Sequence, residues 1–190
     1  MRVVSGDFRG RKLSAVPGMA TRPTTDKVKE ALFNIIGPYF DGGQSLDLFA
    51  GSGGLSIEGV SRGIEHAVLI DRQYQAIKTI RRNIEVTKHP ERFTVYKMDA
   101  RKALGMLGKK QARFDMVYLD PPYAKQQILK DLDQMVQDDL LNDGAVIVAE
   151  TNQEANLPTE DLPNFTFIRR QTYGITVLTI YRFRKGNHRQ

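Results

Sequence analysis

Ser45-Leu46-Asp47-Leu48-Phe49-Ala50-Gly51-Ser52-Gly53-Gly54-Leu55-Ser56-Ile57-Glu58 decides the fold. An apolar run leads into a glycine-rich turn, and the turn opens a helical pattern, so the order is buried strand, tight loop, helix. Units of this kind bind ligands at the carboxyl end of the strand. The third glycine of a G-x-G-x-x-G dinucleotide fingerprint would fall at Ser56, and no Lys-Ser or Lys-Thr pair follows the glycines to make a P-loop. A pyrophosphate is therefore disfavoured. Asp47, in the approach to the turn, would repel phosphate but suits a ligand carrying an ammonium or sulfonium charge. The plainer alternative is a turn that needs glycine only for close packing of helix on strand.

Two further acids lie outward from this stretch. His66-Ala67-Val68-Leu69-Ile70-Asp71 ends on a carboxylate twenty residues beyond Gly51, the spacing at which a strand-end acid reaches the hydroxyls of a ribose. Asp99 follows Phe93-Thr94-Val95-Tyr96-Lys97-Met98 and could accept a bond from an adenine amino group. Each could simply cap a helix. Taken together with Asp120, at four successive strand ends, they describe a pocket for a nucleoside ligand without phosphates.

Asp120-Pro121-Pro122-Tyr123 directly follows the apolar run from Phe114 to Leu119. Two prolines can neither extend a sheet ladder nor easily start a helix, and both fix φ, so the loop is rigid. An acid and an aromatic ring flank it. That combination suits a planar group bearing an amine, whose face stacks on the ring while the carboxylate and a loop carbonyl accept its N–H bonds. A strand-ending turn with a surface tyrosine is the competing reading.

Strands are expected near 45–50, 66–71, 93–98, 114–119 and 145–150, with helices near 53–62, 73–87, 100–110 and 126–139. This alternation implies a mainly parallel, doubly wound α/β sheet. Phe165 to Gln171 and Ile175 to Arg184 are β-like and separated only by Tyr173-Gly174, which predicts an antiparallel hairpin and at least one reversed strand. Thr24-Thr25-Asp26 offers caps for a helix whose apolar face runs Val28, Leu32, Ile35, Ile36. One domain, 1–190, is expected, with a basic arm or small hairpin over 1–24 and a catalytic core over 25–190.

The chain resembles S-adenosylmethionine-dependent methyltransferases acting on an exocyclic base amine. The N-terminus narrows the resemblance: Met1-Arg2-Val3-Val4-Ser5-Gly6, Arg9-Gly10-Arg11-Lys12-Leu13 and Thr21-Arg22-Pro23-Thr24-Thr25-Asp26-Lys27-Val28-Lys29-Glu30-Ala31-Leu32-Phe33-Asn34, with Asp47 to Glu58 and Ser61-Arg62-Gly63. These are similar to the bacterial small-subunit (16S) ribosomal RNA guanine-N2 methyltransferase family. The resemblance implies a Rossmann-like seven-stranded sheet with one reversed strand, S-adenosylmethionine as cofactor, and ribosomal RNA or a partly assembled small subunit as partner. It further implies that Asp47, Gly51 and Gly53 line the methionine and adenosine side, Asp71 holds the ribose and Asp99 the adenine. Phe49, Arg72 and Ala100 adjoin these positions and complete the cofactor set. The family carries glutamate where this chain has Asp71, which has the same charge and a shorter reach. Asp120, Pro121, Pro122 and Tyr123 form the implied catalytic clamp.

Composition is consistent with this reading. The 190 residues, 41% of them hydrophobic, suffice for one buried core. Without cysteine there is no disulfide, thiolate zinc site or cysteine nucleophile. His66, His89 and His188 show no metal-ligand spacing and read as surface or loop residues. With no apolar signal segment and no membrane-length stretch, a cytoplasmic location is expected; a monomer is also expected. The net charge of +6 is concentrated at the ends: residues 1–30 carry seven Lys or Arg against three acids, and residues 165–190 carry six against none. Basic ends suit a phosphate-tracking surface, with Arg2, Arg9, Arg11, Lys12 and Arg22 the candidate contacts. Solubilising charge is the alternative. A DNA adenine-N6 methyltransferase and a non-catalytic RNA-binding module are the rival functions.

Overall fold

The computed structural model describes residues 1–18, 25–122 and 125–186, with backbone alone at 125 and 126. It divides into two compact units, Met1–Ala100 and Arg101–Gln190. The first holds α1 (Asp26–Ile36), β1 (Gln44–Asp47), α2 (Gly54–Ser61), β2 (His66–Asp71), α3 (Tyr74–Thr87) and β3 (Phe93–Lys97). The second holds β4 (Phe114–Leu119), α5 (Lys125–Gln137), β5 (Leu141–Thr151), β6 (Phe165–Tyr173) and β7 (Thr176–Phe183), while α4 (Ala100–Lys109) starts at the boundary. The fold is a seven-stranded sheet in the order β3-β2-β1-β4-β5-β7-β6. β7 is antiparallel to both β5 and β6 and is the reversed strand.

In the first unit, β1 and β3 pair in parallel on either side of β2. Leu46, Leu48, Ile57, Leu69 and Ile80 are buried, each contributing about 1.5–3 kcal/mol of apolar burial. The expectation of a strand over 45–50 is shortened at its end. Asp47 Oδ1 accepts the Phe49 N–H at 3.2 Å, a local bond that turns the chain out of the ladder. Residues 1–13 fold back as a hairpin, with Arg2 bridged to Lys12, the Val3 N–H on Arg11 O and the Leu13 N–H on Met1 O. Val3, Phe8 and Leu13 are its buried side.

Thr25 caps α1 as expected, its Oγ1 accepting the Val28 N–H. Thr24 lies outside the described residues. The buried face of α1 differs from the expected stripe: Lys29, Leu32 and Phe33 are buried, while Val28, Ile35 and Ile36 are only partly so. The helix is rotated so that the Lys29 ammonium meets the buried Glu58 carboxylate, Nζ to Oε1 3.4 Å, a partner that periodicity does not reveal.

Two other expectations need correction. His66 opens β2, as the expected strand 66–71 has it, but is partly buried rather than a free surface residue, and its Nε2 is hydrogen-bonded to Thr94 Oγ1 at 2.7 Å. Burial, with the Arg92 guanidinium adding to it, holds its pKa below the usual histidine value. β5 starts at Leu141 instead of 145, because the turn-like Asn142-Asp143-Gly144 is a register shift within the ladder: Phe114 pairs Leu141, then Met116 pairs Val146. Gly144, at φ 83, supplies the left-handed conformation that such an irregularity needs.

The hairpin of the second unit closes on Gly174-Ile175, between the paired Tyr173 and Thr176. On β7, Tyr181 is buried and its hydroxyl donates to the Pro158 carbonyl at 2.6 Å. Burial pushes this phenol up to about 12, against a smaller opposing pull from Arg170. The folded state therefore holds the proton more tightly than the unfolded chain, whose tyrosine titrates near 10. That stabilisation is whole below pH 10 and is lost as pH rises toward 12. Urea midpoints recorded across this window are expected to fall more steeply for the wild type than for Tyr181→Phe, and parallel curves would contradict it.

Candidate active site

The first unit brings the carboxyl ends of three adjacent parallel strands together. Asp47 ends β1 and pairs in register with Leu69; two residues on, Asp71 ends β2 opposite Lys97 of β3. Asp99 stands two residues past β3 at the start of α4 and is exposed, and Ala100 is the first residue of that helix. The Met98 N–H donates to Asp71 O at 3.0 Å, holding the end of β3 to that of β2.

Between β1 and α2 the chain makes the glycine turn. Gly51 and Gly53 have φ of 57 and 84, values that L side chains rarely adopt. A Cβ on Gly53 would lie 3.2 Å from Leu69 Cδ2, whereas one on Gly51 would meet no described atom within 4 Å. Gly53 is thus needed for packing, and Gly51 faces open space. The Asp71 carboxylate controls this turn: Oδ2 accepts the Gly51 N–H at 3.0 Å and Oδ1 the Gln73 N–H at 2.9 Å. Each oxygen retains a further lone pair for a hydroxyl. Asp71 is therefore a strut of the glycine turn, a brace for the chain entering α3 at Gln73 and an available acceptor at once. Phe49 is half-buried beside Asp47, and Arg72 is exposed.

Asp71→Ala is expected to weaken S-adenosylhomocysteine binding by about 10–100-fold, since the anchor of Gly51 is lost and a charge-assisted hydrogen bond contributes about 1.5–3 kcal/mol. Calorimetric titration reads this directly, and an unchanged Kd would remove Asp71 from the site.

In the second unit β4 is buried through Leu119, and Asp120 is the first exposed residue past it. Pro121 is half-buried and Pro122 exposed. α5 begins at Lys125, so the diproline segment separates a buried strand from a helix. Tyr123 lies outside the described residues.

Among the candidate nucleic-acid contacts, Arg2, Arg9 and Lys12 are exposed on the N-terminal hairpin, with Arg2 and Lys12 adjacent across its bridge. Arg11 is differently placed. Its Nη1 donates to the Val86 and Thr87 carbonyls at 3.2 and 2.7 Å, and its guanidinium lies 5.3 Å over the Phe8 ring, so it caps the negative end of α3. Arg22 lies outside the described residues. Among the described residues no group of three or more His, Cys, Asp or Glu could hold a metal ion, and no helix is long and apolar enough to cross a membrane.

The family model described as "Conserved hypothetical protein 95" matches residues 1–182. The "Ribosomal RNA small subunit methyltransferase D" of Haemophilus influenzae is 31% identical over 182 residues, 95% of this chain and 93% of that protein. The chain belongs to the small-subunit ribosomal RNA methyltransferase D family. The "Putative rRNA methyltransferase YlbH" of Bacillus subtilis is 48% identical over 187 residues, covering 97% of this chain and all of that one. A solved "conserved hypothetical protein" from Streptococcus pyogenes superposes with a TM-score of 0.77 at 43% identity, over 85% of this chain and 98% of that one.

In this member of the methyltransferase D family, two buried polar side chains hold the N-terminal hairpin and the turn in ways the sequence did not reveal. Glu58, fully buried on α2, accepts the Val4 and Ser5 N–H groups and Arg62 Nε. Asn83, fully buried on α3, bonds both Ser14 and Ser52. Ser52 belongs to the glycine turn. The available signal was a polar residue on an apolar stripe: Asn83 shares its helix face with Ala76, Ile80 and Thr87, and buried amides demand partners.

Proposed function

We propose that this methyltransferase transfers the methyl group of S-adenosylmethionine to the exocyclic N2 amine of a guanine in small-subunit ribosomal RNA. The observation that carries the reading is Asp71 gripping the Gly51 N–H on an edge where Asp47, Asp71 and Asp99 end successive strands. The residues fit this cofactor: the edge is acidic and rejects a phosphate chain, the space over Gly51 is open, and Asp71 offers oxygens to a diol. When bound, S-adenosylmethionine supplies an electrophilic methyl on a sulfonium, near which Asp47 provides compensating charge.

The rest of the chemistry falls to the chain. A guanine amine is a poor nucleophile because its lone pair is conjugated into the ring. Accepting its hydrogens on the Asp120 carboxylate and the Pro121 carbonyl favours the tetrahedral nitrogen needed for attack. Tyr123 stacks on the base once it leaves its own stack. The N–C bond forms as the S–C bond breaks, and the nitrogen, acidified by alkylation, releases its proton to Asp120 or water. No covalent protein intermediate is required, and holding the amine in near-attack geometry supplies much of the rate. Arg2, Arg9 and Lys12 contact RNA phosphates, which fix position without reading sequence.

Calorimetry with S-adenosylmethionine, together with mass spectrometry of ribosomal RNA from cells with and without the protein, tests this. Loss of one N2-methylguanosine in the deletion strain is expected. Methylation of duplex DNA alone, or no cofactor binding, overturns it.

A further inference from the structure

Asn83 is fully buried on α3, and every hydrogen-bonding group of its side chain is used. Oδ1 accepts the Ser14 N–H at 2.8 Å, and Nδ2 donates to Ser14 O at 3.0 Å and to Ser52 O at 2.8 Å. The first two bonds grip one residue by both its backbone groups, as a neighbouring strand would. The third holds the middle of the glycine turn. An amide is planar, so its two Nδ2 hydrogens cannot be redirected independently, and displacing either partner carbonyl strains or breaks the bond to the other.

A second tether runs the same way. Met1 Sδ lies 3.9 Å from Ser52 Oγ, and a Cβ on Gly54 would come within 3.2 Å of that sulfur. Met1 O in turn accepts the Leu13 N–H, one residue before Ser14. Among the described residues the N-terminal hairpin, which carries the exposed Arg2, Arg9 and Lys12, is therefore joined to the turn through Met1 and through Asn83, and Asn83 does so through charge-free backbone hydrogen bonds from a fully buried side chain.

We propose that Asn83 is a positioning residue coupling the N-terminal hairpin to the donor-binding turn, so that cofactor occupancy orders the hairpin and RNA held by the hairpin tightens cofactor binding. The inference rests on the functional reading above, and the linkage is reciprocal by thermodynamic necessity.

Hydrogen exchange of the intact protein with and without S-adenosylhomocysteine tests it. The Val3, Gly10 and Leu13 amides, bonded to Arg11 O, Val3 O and Met1 O, are expected to exchange about tenfold more slowly in the wild type with ligand. In Asn83→Ala this slowing is lost although the ligand still binds; Ser14→Ala, which keeps the backbone bonds, retains it. Should Asn83→Ala not fold, Asn83→Asp keeps the acceptor for Ser14 N–H and removes both donors, and the wild-type comparison stands by itself. Ligand binding that leaves the hairpin amides of the wild type unchanged, or slowing that persists in a folded Asn83 variant, overturns the coupling and spares the functional reading. Failure of the wild type to bind the ligand overturns both.

Discussion

Asp120→Ala is expected to lower the single-turnover rate of RNA methylation by about 10²–10³ with the donor saturating, while affinity for S-adenosylhomocysteine and thermal stability stay at wild-type values. The separation follows from where the residue stands. β4 is buried up to Leu119, and the carboxylate is exposed immediately beyond it, so the core loses nothing when it is truncated. The two prolines fix the backbone on its C-terminal side. What disappears is the charged acceptor proposed for the amine. Charge-assisted hydrogen bonds are roughly twice as strong as neutral ones, which places Asp120→Asn between the alanine variant and the wild type. An alanine variant that methylates at the wild-type rate would remove Asp120 from the chemistry.

Glu58→Ala is expected to cost about 3–5 kcal/mol, because deleting one partner of a buried ionic network leaves the others uncompensated. Its carboxylate accepts the Val4 and Ser5 N–H groups at 2.9 and 3.0 Å and Arg62 Nε at 2.8 Å, with Lys29 Nζ at 3.4 Å. Both cations are buried, Lys29 to 1% and Arg62 to 4% exposure. Lys29 keeps Arg2 O and, at 3.8 Å, the half-exposed Asp26 carboxylate, but Arg62 keeps Pro38 O, and a carbonyl dipole does not replace a counter-charge. At this chain length the loss corresponds to roughly 6–20 °C in Tm. Glu58→Gln, which retains one accepting oxygen, should fall between. Thermal unfolding by circular dichroism gives the midpoint, and exchange of the Val4 and Ser5 amides reports whether the hairpin detaches first. A loss below about 1 kcal/mol would mean that the network is solvated.

Much of the sheet was legible because each strand is bounded by a sharp change from apolar to polar residues. β2 and β4 have the expected limits, His66–Asp71 and Phe114–Leu119, and the hairpin of the reversed strand lies where expected, closing on Gly174-Ile175 rather than Tyr173-Gly174. The misses occurred where a local signal was ambiguous. Asn142-Asp143-Gly144 looks like a turn and is an irregularity inside β5, since the same residues serve both. The stripe on α1 was misassigned because a lysine on a helix face reads as solvent-exposed unless its buried partner is known.

The candidate site divides along the same line. The sequence by itself determined the order of elements, the glycine turn and the acids at strand ends, because these are encoded by neighbours along the chain through periodicity and backbone constraint. Tertiary structure alone decided that Asp71 holds Gly51, that Arg11 caps α3, that Glu58 anchors Val4 and Ser5, and that Asn83 joins Ser14 to Ser52. Those bonds link residues 20 to 76 positions apart, and a polar side chain's composition is the same whether it ends in water or on a distant backbone group. Folding chooses between the two, because a buried polar atom must find a partner that only the packed chain can bring to it.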